Sequence, residues 1–169
     1  MNSKRIALTI CVLALASFVA PVTAAPGSAP WFDLDNCEMC KNMTAEKGLM
    51  ENMEWENHLT ADGLISVTVV AAGYEEAFGR SMKNMTATAD KMMAGEEMYL
   101  CGFCQSYGSL HMTGANFEQI PTKAGMIELV TSHDPAVVAS IQKHGQKTID
   151  EYNKMVAAES HGAHDGHNH

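Results

Sequence analysis

The sequence repeats one arrangement of segments, and this repetition is the feature that most constrains the fold. A Cys-x-x-Cys pair opens each copy, CEMC at 37–40 and CGFC at 101–104, with an offset of 64 positions. After each pair come a helix-like segment, a hairpin-like pair of strands and a second helix. The strand segments 62–70 and 124–132 align at an offset of 62. One copy alone has little core, so we expect the two halves to pack together.

Hydrophobic periodicity assigns the elements inside each copy. Apolar and polar residues alternate over 65–69 and over 127–129, which predicts strands. Apolar residues recur at helical spacing from Tyr74 to Met92 and from Val138 to Met155. Asp134-Pro135 predicts a helix start, with Asp as the N-cap and Pro at the first helical position.

The predicted fold is therefore an α+β domain with an internal duplication of a (β)αββα unit. The leading strand of each unit is the short apolar stretch before the cysteines, at 31–34 and 98–100. The halves, 31–97 and 98–157, are expected to form one domain about a pseudo-twofold axis. That domain should contain a small antiparallel sheet and about four helices.

The N-terminus has the pattern of a secretory signal peptide, predicted at 1–24 and followed by a short linker at 25–30. Lys4 and Arg5 precede an apolar run at 6–20, and small residues at 22–24 form a cleavage signal. Cys11 lies inside the apolar run, so four of the five cysteines would remain. We expect an exported protein, periplasmic or extracellular. There, cysteines are usually disulfides, metal ligands or redox catalysts.

The negative net charge restricts the classes of partner that the protein can bind. The formal net charge is −9, and loss of Lys4 and Arg5 lowers it to −11. This acidity argues against nucleic acid and anionic membranes as partners. After the signal, no apolar run is long enough to be an integral membrane segment. The sequence has no Ser/His/Asp order, P-loop or dinucleotide fingerprint, so we expect a protein that is not an enzyme.

The cysteines predict a site for a soft or borderline metal ion. Each pair is expected at a helix start, where residues i and i+3 share a face and the helix dipole favours thiolate over thiol. If the pseudo-twofold axis brings the helix starts together, four thiolates form a tetrahedral site suited to zinc. Alternatively, each pair binds one ion such as copper(I). The predicted ligands are Cys37, Cys40, Cys101 and Cys104.

Two other uses of the cysteines stay open. CGFC resembles the active-site tetrapeptides of thioredoxin-like oxidoreductases over these four residues. That resemblance implies thiol–disulfide exchange by Cys101 and Cys104, a redox protein partner and a parallel βαβ crossover around the motif. Structural disulfides, within each pair or between the halves, are the third possibility.

The segment from Trp31 to Met93 carries a second resemblance, at the level of topology. A strand, a CxxC pair at the start of a helix, a hairpin and another helix follow one another as in heavy-metal-associated metallochaperone domains. This order implies capture, buffering or delivery of copper or zinc, with a metal-transfer protein as the partner.

The C-terminal segment 158–169 contains no apolar residue except alanine, and we expect it to be disordered. Imidazoles on such a chain bind zinc, copper(II) or nickel. The predicted tail ligands are His161, His164, His167 and His169.

Four further residues are possible additional ligands: His111, His58, Met39 and Met43. Thioether sulfur selects copper(I), but these methionines fall on one narrow helical stripe, which is more often core. His111 lies on the flank of Cys104 but two helical turns away, at a rise of roughly 10 Å. His58 shares a strand face with two glutamates, and we expect that face to be solvated. His144 is predicted to lie on the surface.

Overall fold

The structure is a computed structural model that describes the backbone of residues 29–162 and side chains up to Ala158. The predicted signal peptide and residues 163–169 lie outside the described residues. Within them, four helices accompany a four-stranded antiparallel sheet, so the predicted α+β class is confirmed. The helices are α1 (Lys41–Thr44), α2 (Glu75–Met93), α3 (Gly102–His111) and α4 (Pro135–Gly162). The strands are β1 (Met53–Thr60), β2 (Gly63–Val70), β3 (Asn116–Thr122) and β4 (Gly125–Thr131).

The sheet has the order β1-β2-β4-β3, so two hairpins meet through their second strands. Its central register is symmetric. Gly63 pairs with Thr131 and Val69 pairs with Gly125. Adding 62 to the β2 member of each pair gives the β4 member of the other pair, Gly125 from Gly63 and Thr131 from Val69. The helices follow this symmetry less closely, since α1 has four residues and α3 has ten. The duplication and its pseudo-twofold axis therefore stay predictions.

All the helix packing described falls on one face of the sheet. Leu64 and Val130, opposite each other in the sheet, pack with Leu110 of α3 and Ile141 of α4. At the other end of the same face, Val70 packs with Leu49 and with Phe78 of α2. The domain is thus two layers, helices on sheet, with its core between them.

The start of α4 lies where the sequence predicts it. Pro135 is the first residue of the helix, and the N–H of Ala136 donates to the Asp134 carboxylate at 2.8 Å. The helix continues to Gly162, so residues 158–162 are helical where disorder was predicted. None of the described helices is long and apolar enough to cross a membrane.

The prediction of a leading strand in each (β)αββα unit was wrong. Residues 31–34 and 98–100 are loops. Their backbone groups bond within and between these loops, as in the 3.0 Å bond from the Glu38 N–H to the Tyr99 carbonyl. The sheet is antiparallel throughout the described residues, so the parallel crossover implied by CGFC is not found there.

Candidate metal centre

Both CxxC pairs stand where a loop enters a helix. Cys40 is the N-cap of α1 and Cys101 is the N-cap of α3. The first N–H groups of α3, which have no partner inside the helix, donate to the N-terminal loop. Gly102 bonds to the Pro30 carbonyl and Phe103 to the Trp31 carbonyl, both at 2.9 Å. The N-terminal loop therefore fixes the helix that carries the second pair.

Gly102, the glycine of CGFC, has a packing reason. A Cβ atom there would lie 3.1 Å from a ring carbon of Trp31 and 3.3 Å from its Cα. A larger residue would push the N-terminal loop away from α3. The glycine therefore needs no redox explanation.

Asp33 joins the loops that carry the two pairs. Its carbonyl accepts from the Cys37 N–H at 3.1 Å, and its carboxylate accepts from the Asn36 N–H at 3.0 Å. The same carboxylate accepts from the Tyr99 hydroxyl at 2.9 Å, just before the second pair. The Asn36 N–H is the main reason why the pKa of Asp33 is lowered. Sequence reasoning missed this residue, although Asp33 and Asn36 form a recognisable turn pattern.

The four sulfurs of the two pairs converge at one place. All lie within 4.8 Å of one another, and the Cys40 sulfur is 3.5 Å from Cys104 and 3.6 Å from Cys101. A disulfide bond is about 2.05 Å long, and all four cysteines are free thiols. A tetrahedral ion with bonds of about 2.3 Å would hold its sulfurs about 3.8 Å apart. The cluster therefore has the size of a four-thiolate metal site.

The cluster is largely closed to solvent. Cys37 and Cys101 have no exposed surface, Cys40 is 8% exposed, and Cys104 is half-buried. Four apolar side chains pack around the sulfurs: Leu34, Met39, Leu100 and Phe103. An ion or another thiol can therefore approach the cluster from the side on which Cys104 lies.

Electrostatics inside the cluster favour one negative charge without a metal. A hydrogen bond with the Cys104 thiol is the main reason why the pKa of Cys40 falls to about 6. Burial raises the pKa of Cys101 to about 11, and the bond to Cys40 raises the pKa of Cys104 far above its usual range. Ionising all four thiols in this space requires a bound cation to compensate the charge.

Phe103 connects the cluster to an aromatic group beneath it. Its ring packs against the cysteines and lies 5.6 Å from the Trp55 ring and 6.1 Å from the Tyr107 ring. The rings of Trp31 and His144 lie at 6.3 Å and 5.2 Å. These rings form an apolar wall on the inner side of the site.

His144 was predicted to lie on the surface, and that prediction was wrong. Its side chain is 3% exposed, Nδ1 lies 2.9 Å from the Ser106 hydroxyl, and burial lowers its pKa to about 4. Ile141 and Thr148, both fully buried, precede and follow it on α4. Positions 141, 144 and 148 share one helical face, and that spacing was the signal to read.

The two candidate methionine ligands lie in different places. Met39 packs against the cysteine cluster. Met43 packs instead with Leu49 and Phe78, and its sulfur accepts from the Ser81 hydroxyl at 2.8 Å. Met43 is thus a core residue, consistent with the narrow stripe to which it belongs.

The histidines named from the sequence lie outside the cluster wherever their side chains are described. His111 stacks on Phe117 with ring centroids 3.7 Å apart. His58 is exposed and pairs with Glu56 at 3.0 Å. The backbone of His161 belongs to α4, but its side chain is not described. The remaining tail histidines lie outside the described residues: His164, His167 and His169.

No protein-family model matches this chain, and comparisons with curated proteins and with solved structures give no significant match.

Proposed function

We propose that the protein is an exported, non-enzymatic metal-binding protein that holds one soft or borderline ion at its four cysteines. One observation carries the proposal: four sulfurs from two distant CxxC pairs lie within 4.8 Å of one another. Four converging thiolates suit zinc best, and copper(I) is the competing occupant. A site with four protein ligands keeps no position open for a substrate, which favours binding over catalysis.

The role we propose is capture and buffering of the ion, with delivery to a metal-transfer partner. Cys104 supports this role because it is the half-buried ligand, whereas Cys37 and Cys101 are fully closed. A partner's thiolate can replace Cys104 first without opening the apolar wall. The tail histidines would collect ions at low affinity.

The first test is metal and thiol stoichiometry on the chain beginning at Ala25. We expect one zinc or copper ion per chain and four thiols that react with a thiol reagent only after a chelator is added. Cys37→Ser and Cys104→Ser should each lose stoichiometric metal in competition with a chelator. The matched control replaces the four tail histidines by Asn and should keep the tight site. Four freely reactive thiols with no retained metal would contradict the proposal.

Thiol–disulfide exchange is the second candidate, and one contact favours it. The Cys40 sulfur lies within 3.6 Å of both Cys101 and Cys104, so a small shift would permit a disulfide with either. This geometry makes Cys40 the candidate nucleophile, in place of the Cys101/Cys104 pair inferred from CGFC. Turnover of a model disulfide by the metal-free chain, lost in Cys40→Ser, would favour exchange over metal binding.

A further inference from the structure

The sheet has a second face on which no described helix packs, and we call it the open face. β2 and β4 place aliphatic residues there at directly opposed positions, since Ile65 pairs with Leu129 and Val67 with Ile127. On β3, Ile120 pairs with Ile127. Together these side chains form one apolar stripe across three strands. The stripe consists of Ile65, Val67, Val69, Ile120, Ile127 and Leu129.

The opposite, helix-covered face of the same strands carries polar side chains. The alternate residues of β2 face the helices, and Ser66 among them is buried, with its hydroxyl donating to Asn57 at 2.6 Å. Glu128 of β4 also faces that side and accepts from the Tyr107 hydroxyl at 2.6 Å. Meanwhile Val69 and Ile120 are 44% and 42% exposed at the ends of the stripe, and its other four residues are half-buried. Polar groups are thus bonded on the covered side, while a contiguous and partly exposed apolar stripe lies on the other, and an apolar patch of this kind marks an interaction site.

Carboxylates line the open face on both edge strands. Glu54 and Glu56 of β1 lie opposite Val69 and Val67, and Glu118 of β3 lies opposite Leu129. All three are exposed. Among the described strand residues of this face there is no Lys or Arg, and His58 beside Glu56 is the only basic side chain. We call these three glutamates the acidic rim.

The negative charge of the acidic rim indicates the chemistry of the partner that would bind the open face. Stacking a second copy on this face with aligned strands would place glutamates against glutamates, between chains that each carry a net charge of −9, or −11 once Lys4 and Arg5 are removed. A partner with an apolar stripe flanked by Lys or Arg would bury the aliphatic residues and neutralise the rim. We propose that the open face is a docking site for a cationic amphipathic segment of a partner protein.

This site is separate from the cysteines. Phe103 packs against the cysteine cluster and against Trp55, which lies on the helix-covered face of the sheet. A segment on the open face therefore leaves the metal centre uncovered. Loss of docking and loss of metal binding are consequently distinguishable, because each has its own residues.

The test uses the chain beginning at Ala25 and two synthetic amphipathic helices, each with a leucine stripe, one flanked by lysines and the other by glutamates. Amide chemical shifts map the binding site, and titration at two salt concentrations measures Kd. We expect the lysine peptide to shift the strand amides of the open face and the glutamate peptide to leave them unchanged. Affinity should fall as salt is raised.

Two pairs of substitutions make the result specific. Val67→Thr with Ile127→Thr should weaken binding by about tenfold or more, because the stripe loses apolar area. Glu56→Gln with Glu118→Gln should weaken binding and flatten its salt dependence without touching the core. The matched control is Glu96→Gln with Glu97→Gln, which makes the same charge change at exposed loop positions and should leave Kd within about twofold.

Four results would overturn the proposal. The control pair could weaken binding as much as the rim pair, or the lysine peptide could shift residues elsewhere. Sedimentation could reveal a dimer that Val67→Thr with Ile127→Thr dissolves, which would assign the face to a second copy. Removal of residues 163–169 could shift the open-face amides, which would assign the face to the chain's own tail. Zinc stoichiometry, measured on every variant, should not change.

Discussion

The buried histidine beside the metal centre should make the metal-free fold sensitive to acid. His144 is 3% exposed and lies among the rings of Trp31, Phe103 and Tyr107. Burial lowers its pKa to about 4, against 6.5 for an ordinary histidine. The folded state therefore holds the neutral ring over a range in which the unfolded chain binds a proton. The contribution of this ring to stability is full above pH 6.5 and is lost as the pH falls from 6.5 through 4.

The size of the effect follows from the two pKa values. Each unit of difference corresponds to about 1.4 kcal/mol, so the full loss is on the order of 3 kcal/mol. The other groups that face the ring do not cancel it. Tyr107 stays a neutral phenol because burial raises its pKa. Lys147, on the same helix, lies 4.4 Å from the Trp31 ring centroid and has the same sign of charge as a protonated imidazole.

Urea unfolding of the metal-free chain, in chelator and reductant, would measure this effect between pH 7.5 and pH 4.5. Metal must be absent because acid also protonates the cysteine ligands and releases the ion. The matched variant is His144→Gln, which cannot take up a proton. We expect the wild-type free energy of unfolding to fall with acid by about 2–3 kcal/mol more than that of the variant. Parallel curves for the two proteins would refute the reasoning.

Three further outcomes test the fold and the site by the same unfolding assay. Ile141→Ala should cost about 2–5 kcal/mol because Ile141 is fully buried, whereas Val156→Ala, at a position 46% exposed, should change stability by less than about 0.5 kcal/mol. Gly125→Ala should cost at least about 2 kcal/mol, because its Cβ would lie 2.0 Å from the Thr68 carbonyl oxygen. By contrast Gly108→Ala, in a helix with open space around it, should stabilise by about 0.5–1 kcal/mol. On the proposed function, a chelator should remove the ion and lower the urea midpoint of the wild type, and it should leave a variant with all four cysteines replaced unchanged.

The elements of the fold were predictable where a local pattern is sufficient. Asp134-Pro135 starts a helix because both residues act on their own turn. The alternation at 65–69 gives a strand whichever way it faces. The alternation does not say which face of β2 the helices cover. That depends on how β2 pairs with β1, which carries Trp55, and on the side from which the helices pack. The leading strands failed for a similar reason: a short apolar stretch such as 98–100 packs equally well in a loop around buried cysteines.

The site was predictable as a set of residues and less so as an environment. The repeat alone suggested that Cys37, Cys40, Cys101 and Cys104 meet, since symmetry places equivalent residues together. The supports of the site, Asp33 and His144, act through contacts with residues far away in the sequence. Only the spacing of 141, 144 and 148 hinted at a buried histidine. The polar residue type outweighed that hint in the sequence analysis, although histidine is intermediate in its tendency to be buried.

Two places in this chain contradict the usual rule that local pattern and burial agree. Four ionisable thiols lie buried together, and an aliphatic stripe faces solvent while serine and glutamate lie beneath it. Each conflict would be relieved by the occupant that we propose for it, a cation in the first case and a basic amphipathic segment in the second. Conflicts of this kind are expected at functional sites and are rare elsewhere. The two places use separate residues, so the docking that we propose on the open face would leave the cysteines available for the ion that we propose they bind.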